Sequence, residues 1–214
     1  MREEKIRVGD IDANCVLSDI SSPRRLVLLH GSSFSSAIWD KIGLLNMLDE
    51  LKVSYVAPDL PGFGHSPRSK MYLKYQGMAA FVQDLSHLLS ARSTVLMGAS
   101  MGGGIAISVA MMSPEYVDGL ALIGSVGLDW PGVQDFLSKF DKPLKLVWGS
   151  SDGVVPVSVA KNALLHVKGA ELEILEGGHP VYLFKPERFN QSMRQWLISS
   201  GFWGVNRGEP LGNI

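Results

Sequence analysis

The stretch Thr94-Val-Leu-Met-Gly-Ala-Ser100-Met-Gly-Gly-Gly104-Ile-Ala-Ile-Ser-Val-Ala-Met-Met112 decides the fold. Thr94 to Met97 is an apolar run of strand length, and Ile105 to Met112 is apolar all round, as a helix buried against a sheet must be. Between them Gly98-Ala99-Ser100-Met101-Gly102 fits the pattern G-x-S-x-G, in which a sharp strand-to-helix turn lifts a serine hydroxyl clear of the backbone. The turn is tight, so its flanking positions must be nearly bare of side chain. The helix that follows aims its N-terminus at the serine and favours negative charge developing there. Glycine-rich pentads also open helices that do no chemistry, so the pattern needs support from the rest of the chain.

Outward from this stretch, apolar runs alternate with amphipathic ones, which is the mark of an α/β sheet. Arg25-Leu-Val-Leu-Leu-His30, Val53 to Ala57, Gly119 to Ile123, Leu144 to Trp148 and Leu172 to Leu175 read as strands covered on both faces. Lys5 to Val8 and Asn14 to Ser18 read as a hairpin around Gly9-Asp10. Helical spacing is expected over 37–51, 78–89, 133–140, 157–167 and 186–198, with Pro156 and Pro186 at helix starts. The expected fold class is α/β, a mostly parallel sheet with helices on both faces. The gap from 124 to 143 holds one short helix and leaves no room for an inserted lid. The 214 residues fit one domain, expected over 1–200, followed by a tail, 201–214, that carries Phe202 and Trp203. Two adjacent aromatics are costly to leave in water, so docking of that pair on the body is expected.

Bulk composition removes several function classes. The chain is 46% hydrophobic and 19% charged with a net charge of −1, which gives no reason to expect nucleic acid or an anionic membrane as partner. Its single cysteine, Cys15, allows no internal disulfide and reads as a small apolar side chain on a strand. The charged start MREEKIRVGD lacks the apolar core of a signal peptide, and no apolar run approaches bilayer length, so a cytoplasmic location is the expectation.

Three further motifs follow strands, where open α/β sheets place their sites. His30-Gly31-Ser32-Ser33 ends the second apolar run. Acyl transfer builds negative charge on a carbonyl oxygen, and two backbone amides can hold it. Met101 is one expected donor and Ser32 the other, with Ser33 as fallback. His30 itself reads as a hydrogen-bonded turn residue. Asp152, in Trp148-Gly-Ser-Ser-Asp152-Gly, reads alone as an N-cap or turn aspartate. His179, in Gly177-Gly178-His179-Pro180, reads alone as a surface-loop histidine. Together with Ser100 they fall in the chain order Ser…Asp…His that this arrangement uses. The expected chemistry has Ser100 as nucleophile, His179 as base and Asp152 orienting that base, with a small acyl compound as substrate. No cofactor and no metal is called for. His65, His87 and His166 lack ligand-like partners and read as non-catalytic, His65 in a loop that can line the cleft.

Taken together these motifs, with Asp59-Leu-Pro-Gly-Phe-Gly-His-Ser66, resemble the α/β-hydrolase fold superfamily across nearly the whole chain. His30-Gly-Ser-Ser-Phe-Ser-Ser-Ala-Ile-Trp39 and Gly178-His-Pro-Val-Tyr-Leu-Phe-Lys-Pro-Glu187 narrow the resemblance. They are similar to the small lid-less hydrolases related to CCG1-interacting factor B, the α/β-hydrolase-domain-14 group. That resemblance implies a compact hydrolase of small acyl esters, with acyl transfer or lysine deacetylation suggested for the eukaryotic relatives. This chain departs at the elbow, where Gly98 stands in place of the relatives' serine, which favours simple ester hydrolysis. Thioesterase, amidase, lactonase and acyltransferase activities share the same three residues. A non-catalytic hydrolase-like binding protein is the reading from another class.

Overall fold

The computed structural model describes residues 1–167 and 169–203. The chain runs β1 (Arg2–Val8), β2 (Ile11–Leu17), β3 (Arg24–Leu29), α1 (Ala37–Lys41), α2 (Leu44–Glu50), β4 (Tyr55–Pro58) and α3 (Lys74–Leu88). It continues with β5 (Ser93–Ala99), α4 (Met101–Met112), β6 (Val117–Ile123), α5 (Val133–Lys139) and β7 (Leu144–Gly149). The last elements are α6 (Val157–Leu164), β8 (Glu171–Leu175), α7 (Val181–Phe184) and α8 (Pro186–Ser199). The eight strands form one sheet in the order β1-β2-β4-β3-β5-β6-β7-β8. The β1–β2 and β2–β4 pairings are antiparallel. All pairings from β4 across to β8 are parallel.

The continuous apolar runs of the inner strands arise because both sheet faces are covered there; β8, expected to be covered likewise, is the edge strand and is partly exposed, with Ile174 at 42%. Along β3, Leu26 and Leu28 point into one core and Val27 and Leu29 into the other, the period of two that a strand imposes. The first core joins β3, β5, β6 and β7 to Phe81, Val82 and Leu85 of α3 and to Ile105, Ala106 and Val109 of α4. The second packs Trp39 of α1, Leu44, Leu45 and Leu48 of α2, and Phe189, Met193 and Trp196 of α8 on the opposite face. Each wholly buried Leu, Phe or Met side chain stabilises by about 1.5–3 kcal/mol before the entropy of ordering is charged against it.

The expected single helix over 37–51 is two helices. Gly43 sits at φ 73°, in the left-handed region, and turns the chain between α1 and α2. Helix α3 begins at Lys74, earlier than the apolar spacing suggested, and the four-residue α7 went unforeseen. Between β6 and β7 the chain carries α5 and no inserted lid. Phe202 and Trp203 lie on the body: the Phe202 ring meets Trp196 edge-on at 5.5 Å, and Arg24 lies over it at 5.7 Å. The remainder of the tail, 204–214, falls outside the described residues. No helix among the described residues is long and apolar enough to cross a membrane.

Candidate active site

Strand β5 ends at Ala99 and α4 starts at Met101, so Ser100 alone makes the turn, at φ 51° and ψ −112°. A residue with a β-carbon pays about 1–3 kcal/mol for such a backbone and keeps it only when its surroundings over-determine it. Here they do. The Ser100 amide donates to the Ile123 carbonyl at 2.8 Å, and its own carbonyl accepts from Gly103, Gly104 and Val126 at 3.0, 3.2 and 3.3 Å. The glycines around it serve close approach. A β-carbon on Gly98 would overlap the Gly102 carbonyl, and one on Gly102 would overlap the carbonyls of Leu29 and His30.

The structure brings the three expected side chains together. His179 Nε2 lies 2.8 Å from Ser100 Oγ, and His179 Nδ1 lies 2.8 Å from Asp152 Oδ2. An ionised carboxylate only accepts, so Nδ1 carries the proton and Nε2 presents its lone pair to the serine hydroxyl. The other oxygen of Asp152 accepts from the amides of Val154 and Val155, both at 2.9 Å. The Asp152 side chain has no exposure and that of His179 has 18%, so the carboxylate is screened from water while the imidazole edge stays open. The two loops are tied to each other. Ser151 donates to the Gly177 carbonyl through its amide at 3.0 Å and its hydroxyl at 2.9 Å.

The three residues come from the carboxyl ends of β5, β7 and the β8 loop, with β6 between the first two. The residue that follows β6, Gly124, went unnoticed in the sequence. It lies at φ 49°, and a β-carbon there would stand 3.2 Å from both Asp152 Oδ2 and His179 Nδ1. The signal was available: a glycine directly after an apolar strand, flanked in space by two motif-bearing loops.

The His30–Ser33 loop lies against the same turn. The β-carbon position of Gly31 is 3.5 Å from Ser100 Cβ, and Phe34 donates its amide back to the Gly31 carbonyl at 3.0 Å. Ser32 and Ser33 are exposed on this loop, and Met101 opens α4. None of these three amides has a hydrogen-bond acceptor among the described residues. His30 is buried; its Nε2 accepts from the Leu60 amide at 3.0 Å and its Nδ1 donates to the Gly31 carbonyl at 2.9 Å. Burial holds its pKa below the usual histidine value, so it acts as a neutral clamp between two loops.

Asp59 clamps the same region. Its carboxylate accepts from the amides of Ser36 at 2.7 Å and His65 at 2.8 Å and from the Asn14 side chain at 3.2 Å. Burial pushes its pKa up, but these donors outweigh it and hold the group below the ordinary carboxylate range. His65 lines a groove that it shares with Glu3, Asn14 and Asp40. His87 stacks edge-on against Tyr116. No group of three or more His, Cys, Asp or Glu among the described residues is set to hold a metal ion.

A mostly parallel sheet with a strained serine between strand and helix, and His and Asp reaching it from later strand ends, defines the α/β hydrolase class of proteins. Residues 24–138 match the alpha/beta hydrolase fold family, and the chain belongs to that family. Among its relatives is Protein ABHD14A of Danio rerio, 26% identical over 173 residues, a match covering 81% of this chain and 64% of that protein. The candidate protein-lysine deacylase ABHD14B of Homo sapiens is 26% identical over 180 residues, covering 80% of this chain and 82% of the relative. Among solved structures, that of a predicted CIB-like hydrolase from Thermoplasma acidophilum superposes with a TM-score of 0.85 at 35% identity. It covers 92% of this chain and 97% of that one.

Proposed function

We propose that this hydrolase is a serine carboxylesterase that cleaves small or short-chain esters through an acyl-enzyme on Ser100. The observation that carries the reading is the unbroken relay Ser100–His179–Asp152, with both links at 2.8 Å, ending on a serine held in a strained turn. His179 Nε2 removes the hydroxyl proton as Ser100 Oγ bonds to the ester carbonyl carbon. The amides of Met101 and Ser32 receive the negative charge that develops on the carbonyl oxygen, worth roughly 3–4 kcal/mol for one such donor elsewhere. The imidazolium, stabilised by Asp152, returns that proton to the departing alkoxide as the ester C–O bond breaks. Water repeats the sequence on the acyl-serine. His179 takes its proton, the acid leaves, and Ser100 regains its hydrogen.

Acyl transfer or lysine deacylation by the same three residues is the second reading, favoured by the likeness to ABHD14B. The elbow keeps the bare G-x-S-x-G form, since a β-carbon on Gly98 would overlap the Gly102 carbonyl. The reading takes a small acyl compound as the partner and neither nucleic acid nor membrane, and it places the protein in the cytoplasm. The test is a fluorophosphonate probe. Wild type labels at Ser100 and Ser100→Ala does not; an unlabelled wild type refutes the proposal. A p-nitrophenyl ester chain-length series, run beside thioester and acetyl-lysine substrates, then separates the two readings.

A further inference from the structure

Between His30 and Ile38 the loop beside the nucleophile is built from small residues, Gly31-Ser-Ser-Phe-Ser-Ser-Ala37, and Phe34 is its one large side chain. Gly31 to Phe34 form a turn, closed by the Phe34 amide on the Gly31 carbonyl at 3.0 Å. Ser32 and Ser33, inside the turn, are exposed, whereas Phe34 is half-buried and packs on the second core. The turn sets the ring beside the serine. The β-carbon position of Gly31 lies 3.5 Å from Ser100 Cβ and 3.7 Å from Phe34 Cδ2, so the nucleophile and the ring edge border one bare position.

The ring is held from behind. Phe34 meets Tyr182 of α7 edge-on, with ring centroids 6.2 Å apart. Tyr182 is itself set against Trp39 of α1 at 5.7 Å and Phe189 of α8 at 5.9 Å. These three supporting rings are buried, Tyr182 at 2% exposure and the other two at 0%. Aromatic pairs at such separations add to the burial of their area, and a close-packed interior offers no void into which a ring can withdraw. The open edge of Phe34 is therefore a fixed boundary of the serine's surroundings.

We infer that the Phe34 ring is the end wall for the acyl half of the substrate and sets the length of chain that Ser100 accepts. The inference rests on the esterase reading and narrows its substrate class to esters of short acids, with no such limit on the alcohol. The chemistry assigns the halves. The departing alkoxide takes its proton from His179 Nε2, so the alcohol half lies by the imidazole. The carbonyl oxygen turns to the amides of Met101 and Ser32. The acyl chain then runs over the bare Gly31 and meets the ring. A larger side chain at position 34 shortens that path, and a smaller one lengthens it.

The test is the ratio of kcat/KM for p-nitrophenyl octanoate to that for p-nitrophenyl acetate. Both esters are attacked by the same serine and release the same alcohol, so the ratio cancels any change in the amount of folded enzyme. Phe34→Ala raises the ratio about tenfold or more, since one methylene admitted to an apolar pocket or shut out of it is worth roughly 10–200-fold. Phe34→Leu raises it less, and Phe34→Trp lowers it. Octyl acetate against ethyl acetate, which lengthens the alcohol instead, keeps its ratio in all three variants. An octanoate-to-acetate ratio that ignores the residue at position 34, or a change confined to octyl and ethyl acetate, overturns the wall and leaves the esterase reading intact. Calorimetry on Ser100→Ala reads the wall without turnover: adding Phe34→Ala tightens p-nitrophenyl octanoate relative to p-nitrophenyl acetate. That gain, beside a wild type that hydrolyses no ester, sinks the esterase reading and keeps the wall; no gain overturns the wall.

Discussion

Replacing Asp152 by asparagine tests the relay at its most constrained atom. Oδ1 accepts two backbone amides at 2.9 Å, from Val154 and Val155, and Oδ2 faces His179 Nδ1 at 2.8 Å. Only the carbonyl oxygen of an asparagine can take the two amides. The reverse orientation would turn its NH2 group toward two N–H donors and leave both without partners, at about 1–3 kcal/mol each. The NH2 group therefore faces His179, and Nδ1 must become the acceptor. The imidazole proton then moves to Nε2, against the Ser100 hydroxyl, and the ring can no longer accept the serine proton. The expected result is an intact fold with a turnover lower by about 10⁴, the size of this tautomer effect in another serine hydrolase. That is roughly 5 kcal/mol of transition-state stabilisation. Burst and steady-state hydrolysis of p-nitrophenyl acetate, beside a thermal melt, reads both quantities. Turnover within a factor of ten of wild type, in a variant that melts normally, would refute the role given to Asp152.

Gly102→Ala places a β-carbon on the Leu29 and His30 carbonyls, backbone atoms that cannot rotate away, so a loss of about 1–3 kcal/mol is expected by denaturant unfolding; an unchanged midpoint contradicts the packing described. Asp59→Ala strips the acceptor from Ser36, His65 and Asn14 and should cost about 2–4 kcal/mol at neutral pH. Because the folded carboxyl lies below its ordinary pKa, wild type owes stability to its ionisation above the unfolded pKa and loses it as pH falls through the folded one. Acid unfolding curves of the two proteins should converge at low pH, and parallel curves would exclude this clamp. Burial pushes the Cys15 thiol up to about 12, so a disulfide reagent at mild alkaline pH should label the native protein only as fast as it opens; rapid labelling of folded protein would show the thiol to be accessible.

The positions of Ser100, Asp152 and His179 were legible because each sits at a short glycine-bearing turn or loop behind a strand, apolar for β5 and β7 and alternating for β8. Chain order then selected them over other aspartates and histidines. Strand content was legible for a related reason: burial on both faces writes unbroken apolar runs, as in Leu26–Leu29 of β3 and Leu120–Ile123 of β6. The break between α1 and α2 was hidden because Ile38, Leu45 and Leu48 all bury against the same core, so apolar spacing continues through the bend and only Gly43 betrays it. Helix α7 spans too few residues to show a period. The start of α3, Lys74-Tyr-Gln-Gly77, carries one apolar side chain and a glycine, which read as loop. The Asp59 clamp gathers donors from positions 14, 36 and 65, contacts that only the folded sheet brings together.

The order of the strands also sets a timetable for synthesis. From β3 onward the sheet grows outward on one side, through β5, β6, β7 and β8, in the sequence in which they leave the ribosome. Ser100 and His179 are 79 residues apart, so at roughly 5–20 residues per second the hydroxyl emerges about 4–16 s before its imidazole. Through that interval the nascent protein carries the serine without the ring that faces it, and the relay closes only once the loop behind β8 has been made.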